Sequence, residues 1–128
     1  MRKRPDVLEW IAKAEQDYQT AEVMARKRKN PVPDVVGFHC QQCIEKYLKS
    51  LLVFKKLDFP KTHDLIELLE IAIKKEPLLE IYRHDLRDLN PFSVQFRYPG
   101  ETATPEDARW ALKAMRRARK FFIGRYSF

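Results

Sequence analysis

Glycine is scarce in this sequence: three residues, Gly37, Gly100 and Gly124, in a chain of 128. A phosphate-cradling loop of the P-loop or dinucleotide-binding type needs several glycines within one turn, so both are excluded. Cysteine is scarcer still. Cys40 and Cys43 form a single Cys-x-x-Cys, whereas a structural zinc site draws four ligands, usually from two such pairs or from a Cys pair plus a His pair. No second pair exists, and His39, His63 and His84 stand apart from one another. No strand pattern surrounds the motif, as a thioredoxin-like setting requires. The two thiols therefore read as small apolar residues on the inner face of a helix, and neither a metal nor another cofactor is expected. No apolar run reaches the roughly 18 residues of a membrane span. The basic start, Arg2-Lys3-Arg4, is not followed by the apolar stretch of a secretory signal. A cytoplasmic location without a membrane partner is the expectation.

The length is that of one domain, taken here as residues 1–128. Apolar residues make up 45% of the chain, enough for a core and too many for global disorder. The net charge of +7 is uneven. Residues 1–30 carry 8 basic and 5 acidic groups, and residues 91–128 carry 8 and 3, whereas residues 61–90 carry 5 and 7. Basic ends attract polyanions such as RNA, nucleotides or an acidic protein, and equally serve solubility alone.

Proline, glycine and capping residues divide the chain into helices. Asp6 and Glu9 have capping-box spacing, and Val7, Trp10, Ile11, Ala14, Tyr18, Ala21 and Ala25 form one stripe of a helix over about residues 6–29. After Asn30-Pro31-Val32-Pro33, Asp34 is the expected cap of a second helix reaching about Lys56. Val36, Cys40, Cys43, Ile44, Tyr47, Leu48, Leu51 and Leu52 are its apolar stripe. Thr62 is the expected cap of a shorter third helix, and Pro77 opens another containing Leu78, Leu79, Tyr82, Leu86 and Leu89, stopped at Asn90-Pro91. Residues 91–103 read as a loop. Thr104-Pro105-Glu106-Asp107 is a strong helix start, followed by the stripe Ala108, Ala111, Leu112, Met115, Ala118 and Phe122. Helices with short connections and no strands point to an all-α antiparallel bundle.

Several polar residues are candidates for chemistry. Gln41, Gln42, Glu45, Lys46 and Lys49 place donors, acceptors and charge on successive turns, suited to a nucleotide cleft or to a polar seam. His63 sits at a helix start beside Asp64, whose carboxylate can orient the imidazole while the helix N-terminus helps hold an anion. Its bland role is a ring packed on the second helix. Arg97 offers a planar fork and Tyr98 a stacking face in a loop; their bland role is an anchor, Arg97 pairing with Glu45 or Asp64 and Tyr98 packing on the bundle. The stripe Arg109, Lys113, Arg116 and Lys120, with Arg117, Arg119 and Arg125 nearby, reads as a solvated face or a docking face for an acidic partner. Phe121, Phe122, Tyr126 and Phe128 read as core or interface.

The order of these features resembles the HEPN family, a nucleotide-binding domain of higher eukaryotes and prokaryotes. The resemblance rests on Trp10, Asp17 and Ala21, on Gln41-Gln42 followed by Glu45-Lys46 and Lys49, on Lys61-Thr62-His63-Asp64-Leu65, on Leu89-Asn90, and on Phe96-Arg97-Tyr98-Pro99 before an alanine-rich helix. It implies an up-and-down bundle of four main helices plus one short helix, a homodimer, and pairing with a minimal nucleotidyltransferase in a toxin–antitoxin-like system. The Arg-Tyr-Pro segment is similar to that of one branch of the family. Ribonucleases of the family use Arg, four to six residues, then His. This chain lacks that spacing: Arg28 is 11 positions before His39 and 35 before His63, and Arg83 adjoins His84. The expectation is therefore a binding module rather than an enzyme. The alternative is a metal-independent ribonuclease with a non-standard site around His63 and Arg97.

Overall fold

A computed structural model describes residues 5–125, apart from the Arg97 side chain. Tyr126 and Phe128 lie outside the described residues. Five α-helices form an all-α bundle: α1 (Pro5–Ala25), α2 (Pro33–Phe54), α3 (Leu65–Ala72), α4 (Arg83–Leu89) and α5 (Pro105–Arg125). Three 3-10 helices, Pro77–Tyr82, Asn90–Ser93 and Gln95–Arg97, complete the connections.

The second helix is the centre of the bundle. It packs against α1, α3, α4 and α5, and 13 of its 22 residues are buried. A helix covered on so much of its circumference must be apolar nearly all round or must pair its polar groups internally. Both occur here. Ile44, Leu48, Leu51 and Leu52 are fully buried, and the polar Gln41, Glu45, Lys49 and Ser50 are buried with them. The small side chains of Ala14 and Ala21 on α1 and of Cys40 and Cys43 on α2 are fully buried. Burial raises both thiols above their ordinary range, so they remain protonated apolar packing groups, as their helical register implied.

Helix ends differ from the sequence reading in instructive ways. The first helix stops at Ala25, not near Lys29. Lys27 folds back, its ammonium donating to the carbonyls of Lys29 at 2.6 Å and Asn30 at 3.0 Å, and Asn30 takes a left-handed φ of 51° before Pro31. Ala25 is consequently exposed. Asp34 does not cap α2. Pro33 opens the helix, and the Asp34 carboxylate instead accepts the Ala103 amide at 2.6 Å, tying the approach to α5 onto the start of α2. Thr62 does not cap α3 either. Its hydroxyl accepts the Asp64 amide, and Asp64 is the cap, accepting from the Ile66 and Glu67 amides. The segment after Pro77 begins as a 3-10 helix rather than an α-helix, so its three-residue period leaves Leu78 half exposed while Leu79 is buried. At α5, Thr104 and Asp107 satisfy one another's amides reciprocally, as a capping box does.

Two further devices close the bundle. Arg119 forks onto Glu15 at 2.6 and 2.8 Å and lies 3.7 Å from the Tyr18 ring centroid. Arg116 forks onto Glu22 at 2.7 Å, and Arg117 onto Asp85. Arg109, Lys113, Arg116 and Lys120 are exposed, as a solvated face requires, while Arg116 and its neighbours Arg117 and Arg119 also hold α1 and α4. Phe92, only 6% exposed, is seated on α2 at Gly37. A Cβ at Gly37 would come within 2.0 Å of the Phe92 ring.

Two outcomes follow from these contacts. Gly37→Ala gains about 1 kcal/mol of helix propensity, yet it overpacks the Phe92 seat at a cost of about 1–3 kcal/mol. Urea unfolding should therefore give a net loss of stability. The hydrogen bonds from Arg119 and from Arg116 hold the Glu15 and Glu22 carboxyls below the usual carboxylate range. Their stabilisation is present above that range and is lost as pH falls through the lowered values. Arg119→Met should lower the Tm at neutral pH and flatten its fall on acidification, as thermal melts across the acid range would show.

Candidate functional site

A buried carboxylate organises the polar face of α2. Glu45 is 2% exposed. Lys49, one turn on, donates to its Oε2 at 3.2 Å, and the His63 Nδ1 lies 3.0 and 3.1 Å from its two oxygens. The amides of Gln41 and Gln42 approach Oε1 at 3.4 Å. Gln42 also donates to Gln41 Oε1 at 2.7 Å, and Gln41 donates to the His63 carbonyl at 2.8 Å. This last bond fixes the 62–64 turn against α2. Every buried side-chain polar atom among the described residues has a partner. The network is fully satisfied, the condition under which buried polar groups are tolerated.

The most exposed member of the cluster is His63. The His63 side chain is 66% exposed, against 3% for Glu45 and 8% for Lys49. With Nδ1 on Glu45, Nε2 is the ring nitrogen left for an outside partner. The Lys49 ammonium also lies 5.6 Å from the Trp10 ring centroid. Trp10 in turn lines a shallow cleft of about 250 Å³ with Asp6, Glu9 and Lys13.

The sequence row therefore divides. Gln41, Gln42, Glu45, Lys49 and His63 converge. Lys46 does not join them: it turns to Asp17 on α1, whose other oxygen is 2.7 Å from His39 Nδ1. Asp64 is not the orienting carboxylate of His63, which is Glu45. Asp64 caps α3 and receives the Asn90 side-chain amide at 2.9 Å, while Asn90 Oδ1 accepts the Leu65 amide at 2.8 Å. The first amides of α3 are thus already paired, so this helix start holds no anion. Asn90 is more than a terminator: it joins the end of α4 to the start of α3. Tyr98 does not pack on the bundle and is 63% exposed. The Arg97 side chain lies outside the described residues.

A HEPN domain model matches residues 7–126. The chain belongs to the HEPN family. No curated protein and no solved structure matches it. The HEPN match spans all five helices, so the Glu45 cluster lies within the domain rather than on an appendage. Among the described residues no group of three or more His, Cys, Asp or Glu side chains could hold a metal ion, and no helix is long and apolar enough to cross a membrane.

Sequence reasoning missed the Asp17–His39–Lys46 set in this HEPN chain. Asp17 is 7% exposed, too buried for an acid on a solvated helix face. The available signal was local: His39 and Lys46 are two turns apart on one face of α2. Their partner lies on another helix, which periodicity does not identify.

The buried pair predicts an asymmetry in mutation. Lys49→Met strands the Glu45 charge and should cost about 3–5 kcal/mol in urea unfolding. The double change Glu45→Leu with Lys49→Met should recover much of that loss, because both charges are then gone.

Proposed function

We propose that this HEPN chain is a nucleotide-binding interaction module. It works as a homodimer with a minimal nucleotidyltransferase partner in a toxin–antitoxin-like pair, and Arg97-Tyr98-Pro99 supports placing it in the Arg-Tyr-Pro branch. The observation that carries the nucleotide reading is the exposed His63 imidazole, held on the buried Glu45 carboxylate and flanked by Lys49. An imidazole fixed at Nδ1 presents Nε2 to a phosphate oxygen without first having to order itself. Two glutamines in the same network hold the geometry rather than read a base, since their amides face inward to Glu45 and His63. Exposed apolar side chains support the interaction reading: Ile81 is 72% exposed, Leu78 53% and Ile123 50%.

A second reading has one observation in its favour. A carboxylate on Nδ1 is also what a general acid or base requires of its orienting partner. His63 with Glu45 could therefore serve a metal-independent ribonuclease, even without the family's Arg-to-His spacing.

One set of measurements separates them. Nucleoside triphosphates are titrated into the wild-type protein and His63→Ala, with sedimentation equilibrium for the oligomeric state. The module reading expects a dimer that binds a triphosphate, with affinity reduced roughly tenfold in the variant. A monomer without affinity for any triphosphate would sink it. Cleavage of mixed RNA in excess chelator, lost in His63→Ala, would select the ribonuclease instead.

A further inference from the structure

The turn that carries His63 is held from two sides. From α2, the Gln41 amide donates to the His63 carbonyl at 2.8 Å. From the end of α4, Asn90 takes the two residues that follow. Its Oδ1 accepts the Leu65 amide at 2.8 Å, and its side-chain amide donates to Asp64 Oδ1 at 2.9 Å. The same Asp64 oxygen accepts the Ile66 and Glu67 amides. Asn90 therefore grips the first turn of α3 together with the residue next to His63.

Asn90 is itself fixed. Its backbone amide donates to the Leu86 carbonyl, and its own carbonyl accepts the Ser93 hydroxyl at 3.1 Å. Two residues on, Phe92 is seated at Gly37. A side-chain amide on so constrained a backbone offers one acceptor and one donor at set positions, and the turn has to meet both.

His63 depends on such a frame. Its side chain is 66% exposed, so packing confines the ring little. Its direction follows from two things: the bond between Nδ1 and Glu45, and the backbone to which the ring is attached. A shift of that backbone changes the angle at which Nδ1 meets Glu45, and with it the direction of Nε2.

We propose that Asn90 is a positioning residue for His63, setting from α4 the direction in which the imidazole presents Nε2 to a phosphate oxygen. Its side chain bonds Asp64 and Leu65, and it acts through the turn rather than on the ligand. The proposal rests on the reading of His63 as the phosphate contact.

The test labels the protein with 15N-histidine and compares imidazole signals in wild type, Asn90→Ala and Asn90→Ser, with His63→Ala to assign the His63 ring. Asn90→Ser keeps a donor and an acceptor on a shorter stem, so the measurement remains usable if Asn90→Ala fails to fold. The His63 signals should move in either variant, while those of His39, bonded to Asp17, stay in place. Inorganic triphosphate is then titrated by calorimetry. The Asn90 variants should bind it roughly three- to tenfold more weakly, the cost of a contact that is no longer pre-ordered. That loss should vanish in the His63→Ala background, because a residue that acts through another has nothing left to act on. His63 signals unmoved in a folded variant, or an affinity loss that persists without His63, would overturn the proposal. A wild type that binds no triphosphate would overturn the phosphate reading instead, and the imidazole signals decide the role of Asn90 without it.

Discussion

A helix enclosed by four others leaves its polar residues little solvent to reach, and α2 meets this constraint by making each one a partner of another. Glu45 is the pivot. An unpaired carboxylate at that depth would be far costlier than any single packing contact in the bundle. Lys49, Gln41, Gln42 and His63 are arranged around it, and through Gln41 and His63 the connection between α2 and α3 acquires its shape. An adjoining face repeats the logic with Asp17, drawing His39 and Lys46 toward α1. The polar order of the domain is thus a consequence of where α2 sits, and His63 is where that internal order reaches the surface.

Legibility in the sequence followed the range of the interactions. The apolar stripes of α2 and α5 were readable because a helix repeats every three to four residues, and Cys40, Ile44, Leu48, Leu51, Ala111, Met115 and Phe122 are buried where the period puts them. The Thr104–Asp107 capping box was readable for the same reason, being closed within four residues. The charged row from Gln41 to Lys49 was visible as a row, but its division was not. Whether Lys46 turns to Glu45 or Asp17 is decided by the position of α1, which no local pattern encodes. Asp34 and Asn90 were misjudged likewise: each looked like a local cap or stop, and their bonds reach 69 and 25 residues along the chain.

Net charge proved a poor guide to surface for a related reason. Arg116, Arg117 and Arg119 belong to the basic end that suggested polyanion binding, yet each forks onto a carboxylate of another helix. Planar guanidinium groups suit such two-point contacts better than ammonium groups. Arg109, Lys113 and Lys120 are exposed on α5. The field that a distant anion feels is therefore set by fewer cations than the composition counts.

Phe92 has a wider consequence. The same ring that rests on Gly37 borders a cleft of about 350 Å³ with Asp34, Val35, Phe38, His39 and Phe96. It also borders a groove of about 370 Å³ lined by His84, Asp88, Asp107, Trp110 and Ala111. The ring cannot retreat toward α2, because there is no room there even for a methyl group. The two cavities therefore share one wall, and its backstop on α2 fixes where each of them ends.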